Sequence, residues 1–260
     1  MSRCRQWYRG TLIAGMFLLG IIAVAAVMPA LKHLLGRRSV PWCESIVLHW
    51  QRAVCRILNF RIHITGQPDP TAGLTVANHI SWLDIIAVGA QRPYLFLAKE
   101  EVARWPVIGF LAQRTGTLFI RRGDAEQLAA TGEIMAWKLR QEKRLMLFPE
   151  GTTTRGDRVL RFHGKLFQPA QRAGVTVQAI ALHYAGEAGL HAPFIGEDEF
   201  LIHLLAILKL ECIDLHLHYC PAIPAGLRPD QLARTTRLQI TEALSPGALT
   251  PAVEPFSAQS

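Results

Sequence analysis

No two cysteines in this chain form a Cys-x-x-Cys pair, and their number is odd: Cys4, Cys43, Cys55, Cys212 and Cys220. That pattern excludes a disulfide framework and a zinc site. It leaves free, mostly buried thiols of a reducing compartment. No Gly-x-Ser-x-Gly occurs, so the nucleophile elbow of a serine lipase is missing. The phosphate loop of a nucleotide enzyme is missing too: "GDRVLRFHGKL" (156–166) has the wrong spacing and places Leu166 after the lysine. Internal repeats and low-complexity linkers are also lacking. Acids are nearly absent from residues 1–58, where Glu44 stands alone against eight bases, and residues 11–31 carry no charge at all.

The positive charge that is present is placed unevenly. The 260 residues carry a net charge of +8, and residues 1–58 account for almost all of it through Arg3, Arg5, Arg9, Lys32, Arg37, Arg38, Arg52 and Arg56. A nucleic-acid binder carries its basic patch on the folded body. Here the charge surrounds the most apolar segment, which points to an anionic membrane surface. The uncharged run "TLIAGMFLLGIIAVAAVMPAL" is long enough, as a helix, to cross a bilayer core of about 30 Å. Trp7 and Tyr8 precede it and Trp42 follows, where interfacial aromatics are expected. The run exceeds the usual length of a signal peptide, the alternative that its basic start and "AVAAVMPA" raise. Bases flank both ends equally, so orientation is open, and a re-entrant hairpin bent at Gly20 or Pro29 would keep both ends on one side. In "PWCESIVLHWQRAVCRILNF", Ile46, Val47, Trp50, Val54, Ile57 and Leu58 recur at helical spacing. This segment is either an interfacial amphipathic helix or a helix packed on the body.

Beyond residue 60, strand-like and helix-like segments alternate. "FRIHIT", "LTVA", "YLFLA", "TLFI", "LMLF", "VTVQAIALHY" and "ECIDLHLHY" read as strands. Helices are expected from about Ser81, over 99–114 with a break at Pro106, from the N-cap Asp124 to Glu142, over 200–210 and over 229–244. The alternation predicts one α/β domain, with residues 1–58 as anchor and amphipathic helix, 59–245 as the domain and 246–260 as a loose tail.

Two polar interruptions carry the chemistry. "TVANHISWLDIIAVG" (75–89) breaks an apolar run with Asn78, His79 and Asp84. A helix capped by Ser81 would place Asp84 in its first turn, at the positive end of the helix dipole. Five residues along one helix would put His79 and Asp84 about 140° apart. His79 must therefore stand in the preceding turn, folded back so that the carboxylate fixes one ring nitrogen and frees the other as a base. "LMLFPEGTTTRG" (145–156) runs a strand into Glu150, Gly151 and a row of hydroxyls, and strand ends are where an α/β sheet presents its ligand groups. Thr152, Thr153, Thr154 and Arg155 offer donors to an anion. In "GTLFIRRGD", alternation sends Arg121 and Arg122 to opposite faces, so one of them at most enters a given site.

Together "NHISWLD" (78–84), "GTLFIRR" (116–122) and "FPEGT" (148–152) resemble the motifs of the 1-acylglycerol-3-phosphate acyltransferase family, in order and spacing, over residues 40–222. The resemblance implies a central mixed sheet flanked by helices. It also implies His79 as catalytic base oriented by Asp84, and Arg122, Glu150, Gly151 and Thr152 as the acceptor-binding set, which Arg155 joins. Thr153 and Thr154 replace the Ser-containing basic pattern common after the third motif, and Thr176 and Ala179 stand where a fourth motif has prolines. The Thr-Thr pattern and "FIGEDEFLIHLL" are similar to the lyso-ornithine lipid acyltransferase branch. The implied reaction moves an acyl group from acyl-CoA or acyl-carrier protein to a lysolipid hydroxyl, with neither cofactor nor metal, at the cytoplasmic face of a bacterial inner membrane. Of the two acceptors, the family as a whole favours 1-acylglycerol-3-phosphate over lyso-ornithine lipid. A non-catalytic membrane-binding protein is the reading from another class.

Overall fold

In a computed structural model, the structure describes residues 2–121, 123–196 and 198–245. Helix α1 (Ser2–Ile22) runs through a π-helical turn (Ala23–Val27) into α2 (Met28–Leu35), and a 3-10 turn (Gly36–Ser39) leads into α3 (Val40–Leu58). The body follows as β1 (Phe60–Gly66), β2 (Ala72–Ala77), α4 (Leu83–Gly89), β3 (Leu95–Lys99), α5 (Glu100–Ala103), α6 (Ile108–Thr115) and β4 (Leu118–Ile120). Then come α7 (Ala125–Arg140), β5 (Leu145–Leu147), α8 (Gln168–Ala173), β6 (Thr176–Ala185), α9 (Gly186–His191), α10 (Phe200–Ile207), β7 (Ile213–Tyr219) and α11 (Pro229–Ala243). Every expected strand forms, and the helix over 99–114 is broken around Pro106 as expected. Asp124 caps α7 by accepting the Gln127 amide at 2.8 Å.

The seven strands lie in the order β1-β7-β6-β2-β5-β3-β4. The β6–β7 pairing is antiparallel and the others are parallel, so the sheet is mixed. Alternation along β6 divides the core between the two faces. Ile180, Leu182 and Tyr184 join a layer with Leu58, Leu83 and Val88, while Val177, Ala179 and Ala181 join one with Met135, Phe167 and Ile240. Sheets covered on both faces by helices are the usual setting for strands this apolar.

The chain does not fold back at Gly20 or Pro29. Pro29 sits in the first turn of α2, where its missing N–H costs nothing. The reversal comes at Gly36, whose φ of 53° is open to glycine and strained for other residues. α3 then packs against α1: the Trp50 indole N–H donates to the Met16 carbonyl at 2.7 Å and its ring meets Phe17 edge-on. The hairpin also rests on the body. Ile13 and Val54 are part of the core layer above, and Arg9 donates to the carbonyls of Leu210 and Glu211 at 2.5 and 3.0 Å. Arg9, read from sequence as a flanking charge, is a buried tether. The other side of α1 leaves Trp7, Tyr8, Leu18, Leu19 and Ile22 exposed. The helical stretch Arg3–Leu58 is long and apolar enough to cross a membrane.

Candidate active site

β2 lies in the middle of the sheet, and the turn after it carries Asn78 and His79. Asn78 explains itself structurally. Its side-chain amide donates to the Leu182 carbonyl at 2.9 Å and accepts the Leu182 amide at 2.8 Å, clasping this turn to β6. His79 stands outside the helix, as the spacing requires. Its Nδ1 lies 2.8 Å from Asp84 Oδ2. The same oxygen accepts the amides of Ile80 and Ser81 at 2.7 and 2.9 Å, and Oδ1 accepts the Tyr184 hydroxyl at 2.8 Å. Asp84 is fully buried. A carboxylate holding these donors can only accept from Nδ1, so the proton sits there and Nε2 keeps its lone pair.

The capping of α4 differs from expectation. The helix starts at Leu83 with Trp82 in the cap position, and the Ser81 hydroxyl is buried with no hydrogen-bond partner among the described residues. Asp84 takes over the task from inside the first turn, by reaching back to the amides of residues 80 and 81. One side chain therefore both opens the helix and holds the histidine.

The segment after β5 closes over His79. The imidazole stacks on Phe148, with ring centres 4.0 Å apart. Glu150 Oε1 accepts the His79 amide and Oε2 the Leu160 amide, both at 3.0 Å. Burial pushes the Glu150 carboxyl above the ordinary carboxylate range, against the pull of these two amides. Glu150 was expected to touch an acceptor, yet both its oxygens are engaged by backbone. Gly151 turns the chain at φ 67°, and its amide donates to the Phe148 carbonyl at 3.0 Å. The Thr154 amide donates to the His79 carbonyl at 2.8 Å. The Thr153 hydroxyl donates to the Phe194 carbonyl, so this threonine ties the loop to the segment before α10.

A cleft of about 1390 Å³ opens at this point. Apolar residues line it, among them Ile13, Phe17 and Val24 of the amino-terminal hairpin with Trp50, Ile86 and Leu111. Charged residues line it too, among them Lys99, Arg161, Lys165, Glu101, Asp124 and Asp198. His79, Gly151 and Thr152 line the same cleft. Arg155 is exposed and is not among the lining residues. Arg121 lines the cleft but is held by Glu100 through two bonds of 2.6 and 3.0 Å. Arg122 lies outside the described residues. Tyr184 carries no motif signal and is 100 residues from Asp84 in the chain; Phe148 opens the motif "FPEGT", but its place against the imidazole shows only in the fold.

A histidine with one nitrogen fixed by a buried carboxylate and the other directed to a cleft can remove a proton from a hydroxyl. The comparisons agree with that chemistry. The family model described as Acyltransferase matches residues 61–183. The chain is 37% identical to the lyso-ornithine lipid O-acyltransferase of Pseudomonas aeruginosa over 94% of its own length and 95% of that protein. It is 34% identical to the enzyme of the same name from Rhodobacter capsulatus, over 80% and 78% of the two chains. The 1-acyl-sn-glycerol-3-phosphate acyltransferase of Neisseria meningitidis is 37% identical over 55% and 57%. The fold matches the crystal structure of the 1-acyl-sn-glycerophosphate acyltransferase of Thermotoga maritima with a TM-score of 0.67, at 16% identity and over 94% and 96% of the chains. With its sheet, its histidine turn and its whole-length relatives in agreement, the chain belongs to the phospholipid and glycerol acyltransferase family.

Proposed function

We propose that this acyltransferase esterifies lyso-ornithine lipid at a membrane surface, using the thioester of acyl-CoA or acyl-carrier protein. The observation that carries the chemistry is the His79–Asp84 pair, with His79 lining a cleft that apolar and charged residues share. His79 Nε2 takes the proton of the acceptor hydroxyl. The oxygen attacks the thioester carbonyl, the carbon–sulfur bond breaks, and the imidazolium returns its proton to the leaving thiolate. The acceptor is the nucleophile, so no acyl-enzyme forms. The Gly151 amide already has the Phe148 carbonyl. The amides of Thr152 and Thr153, with no acceptor among the described residues, are the candidates to meet the oxyanion. The acyl chain lies against the apolar lining residues.

Sequence alone favours 1-acylglycerol-3-phosphate as acceptor. The relatives move that choice, because several that span most of this chain, those of Pseudomonas aeruginosa and Rhodobacter capsulatus among them, are named for lyso-ornithine lipid. The cleft supports the change. Its lining includes Lys99, Arg161 and Lys165 as well as Glu101, Asp124 and Asp198, which suits a head group bearing both an ammonium and a carboxylate. The second reading, 1-acylglycerol-3-phosphate, rests on the Neisseria relative and on Arg122 as a phosphate fork. Membrane attachment follows from the exposed outer face of α1, with Trp7 and Tyr8 at the interface and α1 lying along the bilayer surface.

The test is purified protein in detergent against a panel of lysolipids, with acyl-CoA and acyl-carrier protein as separate donors and mass detection of the product. Acylation of lyso-ornithine lipid well above that of 1-acylglycerol-3-phosphate is expected. The reverse preference would transfer the assignment to the second reading. Thioester hydrolysis without transfer to any lysolipid would end both.

A further inference from the structure

We propose that Tyr184 is a positioning residue of the reaction, a third member of the His79–Asp84 pair that acts by holding the carboxylate. This rests on the reading of His79 as the base. Tyr184 stands on β6 and donates its hydroxyl to Asp84 Oδ1 at 2.8 Å. Asp84 Oδ2 is shared by the Ile80 amide, the Ser81 amide and His79 Nδ1. Among the described residues, Oδ1 has the tyrosine hydroxyl and nothing else. The two oxygens are thus divided by task, one toward the histidine turn and one toward β6.

The setting makes a purely structural role a poor account. Tyr184 shares its face of β6 with Ile180 and Leu182 and is packed in an apolar layer with Leu83 and Val88. Phenylalanine would fill that space, and among the described residues the hydroxyl has a single partner in it. Burial and the neighbouring Asp84 charge push the phenol well above its ordinary range. The group therefore donates a hydrogen bond and never gives up its proton in the working range. With the hydroxyl in place, negative charge is drawn to Oδ1 and the carboxylate cannot swing about its own axis. Without it, Oδ1 is a bare carboxylate oxygen in an apolar layer. The charge then falls on Oδ2, which holds the imidazolium more tightly. The base is protonated up to a higher pH and releases its proton to the leaving thiolate less readily.

The experiment is Tyr184→Phe, assayed with the acceptor and donor identified by the lysolipid panel. A kcat lower by about tenfold is expected, the size of one hydrogen bond to a charged group, with acceptor KM within about twofold. The acidic limb of kcat/KM should move to higher pH. In an Asp84→Asn background the same change should cost less than about twofold, because the bond that it supports is already gone. 3-Fluorotyrosine at position 184 keeps the packing and strengthens the donor, so it should move the limb to lower pH; this holds the test open if Tyr184→Phe folds poorly. Wild-type turnover and pH profile in Tyr184→Phe would overturn the proposal. So would a loss expressed in KM, or the full tenfold loss repeated in the Asp84→Asn background. If His79→Ala and Asp84→Asn were themselves unimpaired, the base assignment would fall; if they are impaired and Tyr184→Phe is silent, this inference alone falls.

Discussion

At the scale of the residue, His79 and Asp84 divide the work in a way that mutants can separate. His79→Ala removes the base and should cut turnover by about two to four orders of magnitude, with circular dichroism and melting unchanged. Turnover near that of the wild type would end the mechanism. Asp84→Asn keeps the shape but loses the charge that stabilises the imidazolium, so its effect should fall on kcat and leave acceptor KM in place. A raised KM at constant kcat would make Asp84 a substrate ligand instead. The pairing itself was legible in the sequence, because five residues of separation forbid both groups on one helix and so force the histidine into the turn. What gathers around it was not. Tyr184, Phe148 and the amide of Leu160 reach the site through sheet order and a loop path that no local spacing encodes. Glu150 shows the same limit: the two backbone amides that its oxygens accept appear only in the folded loop.

At the scale of the element, the amino-terminal hairpin serves two surfaces at once. Ile13, Phe17 and Val24 wall the cleft, while Trp7, Leu18 and Leu19 look outward. Deleting residues 1–38 would therefore remove core and tether along with any anchor, since Ile13 and Arg9 go with them. Substitution of the outer face alone is the cleaner test. The combined variant Trp7→Ser, Leu18→Ser, Leu19→Ser should fold normally, with melting close to the wild type, and lose most of its co-flotation with anionic vesicles. Unchanged vesicle binding at high salt would show that this face is not the membrane contact. The apolar length of this region was plain from the sequence, but its bend was not. Proline and mid-run glycine are the usual breakers, yet Pro29 falls where a helix tolerates it, and the positive φ is carried by Gly36.

At the scale of the whole molecule, the sheet brings three imidazoles into one row. His63, His216 and His183 face one another in register across β1, β7 and β6, with His63 and His216 stacked at 4.7 Å. Burial lowers the pKa of His183 and of His216, and His63 and His183 lower that of His216 further. The unfolded chain therefore binds protons first as pH falls below about 6.5, the ordinary histidine value. Stability present above that value should be lost as pH drops through the lowered folded values. Melting temperature should thus fall more steeply from pH 7 to pH 5 in the wild type than in His216→Gln; equal slopes would show that the row is irrelevant to acid sensitivity. The strand order has its own consequence. β2, which delivers His79, is the fourth of seven strands, flanked by β6 and β5, which supply Tyr184 and the Phe148–Glu150 turn. Edges open before centres in native-state fluctuations. Exchange of the His79 amide with solvent deuterium should then be among the slowest in the chain. Activity on heating should persist while the edge strand β1 frays, and vanish only with the global transition.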